Sequence, residues 1–270
     1  MKEHRSQQRS DSPRAGGGAS GSARRQAAAA RKPFAVFDID GTLIRWQLYH
    51  AVADALAKEG YAAPEIYQAM RDARMSWKRR TEADAFRAYE QKVIVAYEKA
   101  LQKLTLKQFI EIADKVFDEY KEQVYTYTRD LIAKLKARNY ILLAISGSQL
   151  EMVEKVVNFW GFDDFLGTIY IRSGRTFTGK KIVHSNDKAA ALKSMIDKHG
   201  LSLKESVGVG DTKSDIPMLE MVEKPIAFNP DRYLFAHAKK YGWKIVLERK
   251  NMVYELEKQD GTYQLVKTSA

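Results

Sequence analysis

Asp38 and Asp40 stand one residue apart where a short apolar run ends in PFAVFDIDGTLI, residues 33–44, and Asp211 and Asp215 close the run GDTKSD, residues 210–215. Between these pairs lie Ser146 and Gly147, in AISGS, and a lysine, Lys188. Carboxylates brought together repel one another strongly unless a hard cation lies among them, and oxygen ligands of this kind suit magnesium. Ser185 or Asn186 is placed to cap a helix that would carry Lys188 in its first turn, where an ammonium and free backbone amides both favour an anion. A divalent cation and an anionic group held side by side is the chemistry these residues could do. Each feature alone is common: Asp-x-Asp occurs in many loops, and a lysine at a helix start is usually solvated. Their order and placement carry the argument.

The placement depends on the elements. The Val, Phe and Ile run before Asp38 reads as a buried parallel strand, so Asp38 and Asp40 sit at its carboxyl end. Further strands are predicted at 140–146, 206–211, 225–229 and 243–247, with helical patterns between them, and a hairpin at 167–179 on one edge. This alternation implies βαβ units and an α/β fold whose parallel sheet is covered on both faces. In such a sheet, ligands bind beyond the carboxyl ends of the strands, which brings Asp38, Asp40, Ser146, Asp211 and Asp215 to one crevice. Residues 47–126 read instead as helical with no strand among them: Leu48, Ala51, Val52, Ala55 and Leu56 keep helical spacing, as do Phe109, Ile112, Ala113, Val116 and Phe117. Thr81 and Thr105 are expected N-caps, the latter opening a capping box with Gln108.

In order and context, DIDGT, Ser146, Lys188 and GDTKSD resemble the four motifs of the haloacid dehalogenase superfamily. The helical insertion directly after the first strand is similar to its phosphoserine-phosphatase-like branch. The resemblance runs from residue 33 to about 250 and implies a Rossmann-like core, 33–46 and 127–250, with an all-helical cap, 47–126. It also implies a phosphatase in which Asp38 attacks phosphorus while Asp40 protonates the leaving oxygen and later activates water. Magnesium is implied on Asp38, the backbone carbonyl of Asp40, Asp211 and Asp215, with Thr42, Ser146, the Gly147 amide and Lys188 on the phosphoryl oxygens. Lys180 and Lys181 lie near the third motif, but only Lys188 has the helix-start context. A receiver domain also gathers aspartates and a lysine, yet lacks DxDGT and so large an insertion.

In that branch a glutamate shortly after the first motif meets the ammonium of phosphoserine and a cap arginine meets its carboxylate. Here Gln47 stands near the glutamate's place and no acid precedes Asp54. With Arg79, Arg80 and Arg87 in the cap, an anionic or bulkier apolar ester is expected over a zwitterion. Hydrolysis of a small-molecule or lipid-derived phosphate and transfer to another alcohol both remain open. The basic run Arg71, Arg74, Lys78, Arg79 and Arg80 has two readings, a solvated face or a surface for an anionic substrate or acidic lipid headgroups.

Composition bounds the rest. The 270 residues include no cysteine, which excludes disulfides, thiolate metal sites and a cysteine nucleophile. No run approaches the roughly 18 apolar residues of a membrane span, and a soluble, cytoplasmic protein is expected. The net charge of +11 suggests a nucleic-acid binder until it is located: residues 1–32 hold eight Lys or Arg against Glu3 and Asp11, leaving +5 for the remainder. That segment, rich in Ser, Gly, Ala and Arg, is expected to be a disordered basic tail. It can be a solvated tail, an arm making weak polyanion contacts, or a targeting leader; no obligatory nucleic-acid partner is expected. Residues 251–270 are left as a C-terminal segment. The histidines show no ligand spacing, and the aromatics of the helical block are expected in the core.

Overall fold

The computed structural model describes residues 31–80, 82 and 84–270. Except for its last two residues, the expected basic tail lies outside them, as does the expected cap at Thr81.

Strand β1 (Pro33–Phe37) lies in the interior of the sheet, with strands on both sides. Its side chains alternate strictly: Ala35 and Phe37 enter one hydrophobic layer, Phe34 and Val36 the other. Both layers are dry, which is why the run is apolar throughout rather than alternating. The same parity governs β2 (Ile141–Gln149), whose Leu142 and Ala144 face the first layer and Leu143 and Ile145 the second. The helices between strands close these layers. Helices α5 (Thr126–Ala137) and α6 (Leu150–Trp160) cover the first face. Helices α7 (Lys188–His199), α8 (Ile216–Leu219) and α9 (Arg232–Tyr241) cover the second.

The remaining strands are β3 (Asp164–Ser173), β4 (Thr176–Val183), β5 (Ser202–Gly210), β6 (Lys224–Phe228), β7 (Lys244–Arg249), β8 (Met252–Gln259) and β9 (Thr262–Ser269). The sheet order is β4-β3-β2-β1-β5-β6-β7-β8-β9. Strands β3, β2, β1, β5, β6 and β7 run parallel, and antiparallel hairpins extend both edges. The α/β class and parallel core match the expectation. Two details differ. The hairpin expected at 167–179 is the outer half of β3 with the start of β4, and the first residues of β3 already pair parallel to β2. The segment 251–270, left without an element, forms β8 and β9.

Between β1 and α5 come α1 (Leu48–Lys58), α2 (Pro64–Arg79), α3 (Ala85–Leu101) and α4 (Leu106–Tyr120). Their apolar stripes join the layer on the first sheet face, so Lys32–Ala270 packs as one unit. Helix α4 begins as its sequence dictates: the Gln108 amide donates to Thr105 Oγ1 at 3.3 Å and the Thr105 amide to Gln108 Oε1 at 2.9 Å. The β3–β4 hairpin reaches this insertion: the Leu106 amide donates to the Arg175 carbonyl, and Lys181 pairs with Glu98 of α3. Among the described residues no helix is long and apolar enough to cross a membrane.

Candidate active site

The chain leaves β1 towards β2 and β3 on one side and later returns through β5 to β7 on the other, so a crevice opens beyond the carboxyl ends of β1 and β5. Asp38 follows β1 and Asp211 follows β5. The turn between Asp38 and the helical insertion is tight: the Ile39 carbonyl accepts from the Leu43 and Ile44 amides, and Gly41 adopts φ +83°. A side chain at Gly41 would meet the Asp211 carboxylate, so glycine serves both the left-handed backbone and the approach of that acid.

Lys188 opens α7 and is 2 % exposed, with Nζ 2.6 Å from Asp38 Oδ1, 2.5 Å from Asp215 Oδ1 and 3.0 Å from the Ile145 carbonyl. Lys180 and Lys181 do not compete for this place. The helix that presents Lys188 is capped by Asp187, whose Oδ1 accepts from the Ala190 amide, and not by Ser185 or Asn186, which line the cavity. Those two belong to a 3-10 turn over His184–Asp187 that shifts the helix start by one residue.

Asp215 is fully buried and braces the loop it ends: Oδ2 accepts from the amides of Asp211 at 3.0 Å and Thr212 at 2.9 Å. The loop is fixed from outside by Asp231, which caps α9 and whose amide donates to the Asp211 carbonyl at 2.8 Å. Asp40 is held by three donors: the Leu48 amide at 2.6 Å, Ser146 Oγ at 2.7 Å and Ser148 Oγ at 3.0 Å. Thr42 and Ser146 are fully buried and turn to these acids, Thr42 Oγ1 lying 3.4 Å from Asp211 Oδ1. Gly147 lines the cavity itself.

Carboxylates outnumber cations here, and Asp38, Asp40 and Asp211 are all shifted towards the protonated form. Burial, opposed by Lys188 and aided by Asp215 and Asp40, pushes Asp38 from 3.8 up to about 7. Burial and the charge of Asp38 raise Asp211 well above its ordinary range. Burial also raises Asp40, against the hydrogen bonds from Ser146, Leu48 and Ser148. Burial alone would discharge Lys188, but Asp215 and Asp38 outweigh it and hold the ammonium charged. Asp38, Asp211 and Asp215 offer carboxylate oxygens within 4.8 Å of one another. Three acids sharing one lysine leave a surplus of negative charge that a divalent, oxygen-seeking cation fits.

The cavity in front of these groups measures about 370 Å³. Its far wall contains residues that the sequence did not single out as functional: Tyr49, Glu90, Tyr97, Gln149, Thr168 and Tyr170. Gln47, the neutral residue expected near the substrate, lines it as well. The cap arginines expected to favour an anionic ester do not: Arg79, Arg80 and Arg87 are absent from the lining, and the acid missing from the first motif's neighbourhood is present as Glu90 of α3. A faint sequence signal existed. Glu90, Ile94 and Tyr97 repeat at i, i+4 and i+7, one step round the helix from the core stripe Tyr89, Val93 and Ala96. His50, fully buried among Tyr49, Tyr89 and Phe86, is a packing residue that burial keeps neutral.

Residues 35–220 match the family model described as haloacid dehalogenase-like hydrolase. The chain is 28% identical over 142 residues to phosphoserine phosphatase SerB1 of Mycobacterium tuberculosis (strain H37Rv), a match covering 51% of this chain and 46% of that protein. It is 26% identical over 226 residues to a histidinol-phosphatase of Neisseria meningitidis serogroup C, covering 80% of this chain and 98% of that one. The chain thus spans about half the length of the mycobacterial relatives it matches. A crystal structure of a protein of unknown function from Bordetella pertussis Tohama I shares the fold, with a TM-score of 0.64 at 19% identity, over 80% of this chain and 98% of that one.

Proposed function

We propose, because the chain belongs to the haloacid dehalogenase-like hydrolase family, that it is a magnesium-dependent phosphomonoesterase acting through an aspartyl-phosphate on Asp38. The observation that carries this reading is the meeting of Asp38, Asp211 and Asp215, with the Lys188 ammonium paired to Asp38 and Asp215, at one end of the cavity. Asp38, the Asp40 carbonyl, Asp211 and Asp215 would hold magnesium, which when bound offsets negative charge on the acids and on the transferring group.

Asp38 attacks phosphorus and the bond to the leaving oxygen breaks. Asp40 gives that oxygen its proton, for which its burial and raised affinity for protons fit it. Ser146, Ser148 and the Leu48 amide fix the Asp40 carboxyl so that its proton is delivered to one place. Water then attacks the aspartyl-phosphate while Asp40 takes a proton from it, releasing phosphate and restoring both acids. Lys188 and the Gly147 amide hold the phosphoryl oxygens, and Thr42 and Ser146 support them from behind the cavity wall.

The cavity volume favours a small phosphorylated alcohol over a lipid-derived one. The phosphatases named among the relatives support a phosphomonoester substrate. The test is turnover of 4-nitrophenyl phosphate with magnesium and with excess chelator, together with rapid-quench capture of phosphate on the protein. Magnesium-dependent turnover is expected, with label on the wild type and none on Asp38→Asn. Full turnover in chelator, or label retained by Asp38→Asn, would refute it.

A further inference from the structure

The cavity has two chemically distinct ends. Asp38, Asp40, Asp211 and Lys188 form one; Tyr49, Glu90, Ile94, Tyr97 and Tyr170 form much of the other, where the alcohol part of a phosphate ester would lie. Of the acidic residues lining the cavity, only Glu90 lies outside the first end. It is half-buried, and the hydrogen bond that holds it comes from the Tyr49 hydroxyl, at 2.9 Å from its Oε1. No ion pair engages it among the described residues; Arg87, one turn earlier on α3, favours its charge from outside the lining, and on the cavity side the carboxylate has room for further donors.

The cations on the wall are already matched. Lys188 lies between Asp38 and Asp215, and Lys181 is paired with Glu98. A substrate carboxylate would therefore find no free cation among the described lining residues, whereas a substrate ammonium would find Glu90. Aromatic rings flank the same space: Tyr97 and Tyr170 stand 5.7 Å apart at 56°, and ring faces attract a cation. A second, independent sign of a ligand is Gln149. It is 2% exposed and lines the cavity; its Oε1 accepts from the Tyr97 hydroxyl, and its Nε2 donor has no partner among the described residues. Buried donors are rarely left unpaired; an ammonium, itself only a donor, cannot satisfy this one, but an oxygen of the same phosphate ester can, so Gln149 marks the place of the ester and Glu90 that of its amine.

We propose that this end is a subsite for a protonated primary amine on the leaving alcohol, with Glu90 as the specificity-determining residue, Tyr49 positioning it and Tyr97 and Tyr170 flanking the cation. The substrate class is an amino-alcohol phosphate monoester lacking a carboxylate. This rests on the phosphomonoesterase reading above and adds to it which ester is preferred.

The experiment compares kcat/KM of the full chain with magnesium on 2-aminoethyl phosphate, propyl phosphate, choline phosphate and phosphoserine, with 4-nitrophenyl phosphate as a reference. A charge-assisted contact of this kind predicts that 2-aminoethyl phosphate exceeds propyl phosphate by roughly tenfold to a hundredfold. Glu90→Gln should bring that ratio close to one, Glu90→Asp should restore part of it, and Tyr49→Phe should lower it less. Choline phosphate, which cannot donate a hydrogen bond from nitrogen, should fall below 2-aminoethyl phosphate, and phosphoserine should also fall below it. Turnover of 4-nitrophenyl phosphate with a wild-type ratio near one overturns the subsite and leaves the phosphatase reading standing. No turnover of any ester overturns both. A choline phosphate preference, or a ratio unchanged in Glu90→Gln and Tyr49→Phe, removes Glu90 as the determinant. Should Glu90→Gln fail to fold, the wild-type ratios and Tyr49→Phe decide the matter.

Discussion

Removing the charge of Asp38 should stabilise the metal-free protein, and should do so more at high pH. The carboxyl is 6% exposed, and burial with the nearby acids moves it from 3.8 to about 7. At pH 8 both folded and unfolded chains carry it ionised, and the folded chain bears the cost of a charge it accommodates poorly. Relative to a neutral side chain of the same shape, that cost is roughly 4 kcal/mol. At pH 5 the folded carboxyl is protonated while the unfolded one is ionised, and the linkage falls to under about 2 kcal/mol. Below 3.8 both states are protonated and the difference vanishes. The sign follows because the raised group binds more protons when folded: its contribution is favourable at low pH and is lost as pH rises towards about 7. Asp38→Asn should therefore raise stability in chelator by a few kcal/mol at pH 8 and by less at pH 5, or about 2–4 °C of Tm per kcal/mol for a chain of this general size. His50 titrates in the opposite sense, since burial lowers it to about 3. Comparing variant with wild type at each pH cancels that contribution. Urea unfolding at pH 5 and 8, with chelator and with saturating magnesium, reads the effect. Magnesium should reverse the ranking at pH 8 by stabilising the wild type more. A variant less stable than wild type at pH 8 in chelator, or a difference that does not change with pH, would refute the electrostatic account of the site.

Asp40→Asn should slow alkyl phosphates far more than 4-nitrophenyl phosphate, whose leaving group needs no proton; equal losses on both would contradict its acid role. Asp211→Asn should raise the magnesium concentration needed for half-maximal turnover markedly, and an unchanged magnesium titration would remove Asp211 from the metal site. Thr105→Ala removes the capping box of α4 and should lower the free energy of unfolding by about 1 kcal/mol, read in urea, with little change in turnover of 4-nitrophenyl phosphate.

Sequence legibility followed how local each determinant is. The chemistry-bearing ends of β1, β2 and β5 could be read because a buried parallel strand is a continuous apolar run, and the residue that follows it marks where the crevice must be. Thr105 could be read because a capping box is written within four residues. Helix α5 could not be read this way. Its Tyr125 N-cap makes no side-chain cap bond, and the Thr126 and Tyr127 amides are taken by the carboxylate of Glu248, from β7 more than a hundred residues later. Strand β8 was hidden for a similar reason. An inward position is occupied by Glu255, which breaks the apolar alternation and is tolerated only because Lys244 and Lys267 reach it from the neighbouring strands, at 2.5 and 2.9 Å.

The same limit explains why the end of the cavity proposed for catalysis was legible and the end proposed for the alcohol was not. Reacting groups are few, and the fold brings them to the strand ends, so order along the chain is enough to find them. The alcohol end is assembled from α1, α3, β2 and β3, and which helical stripe faces it depends on how the insertion sits over the sheet. Here the β3–β4 hairpin fixes that seat by pairing Lys181 with Glu98 and Arg175 with Leu106, leaving Glu90 and Tyr97 over the cavity and Tyr89 and Val93 in the core. The hairpin at the edge of the sheet thereby pairs Lys181, which lines the cavity, with Glu98 and helps fix the face α3 presents. On the proposed reading, specificity for the alcohol is a property of the contact between hairpin and insertion, which no single segment of the sequence displays.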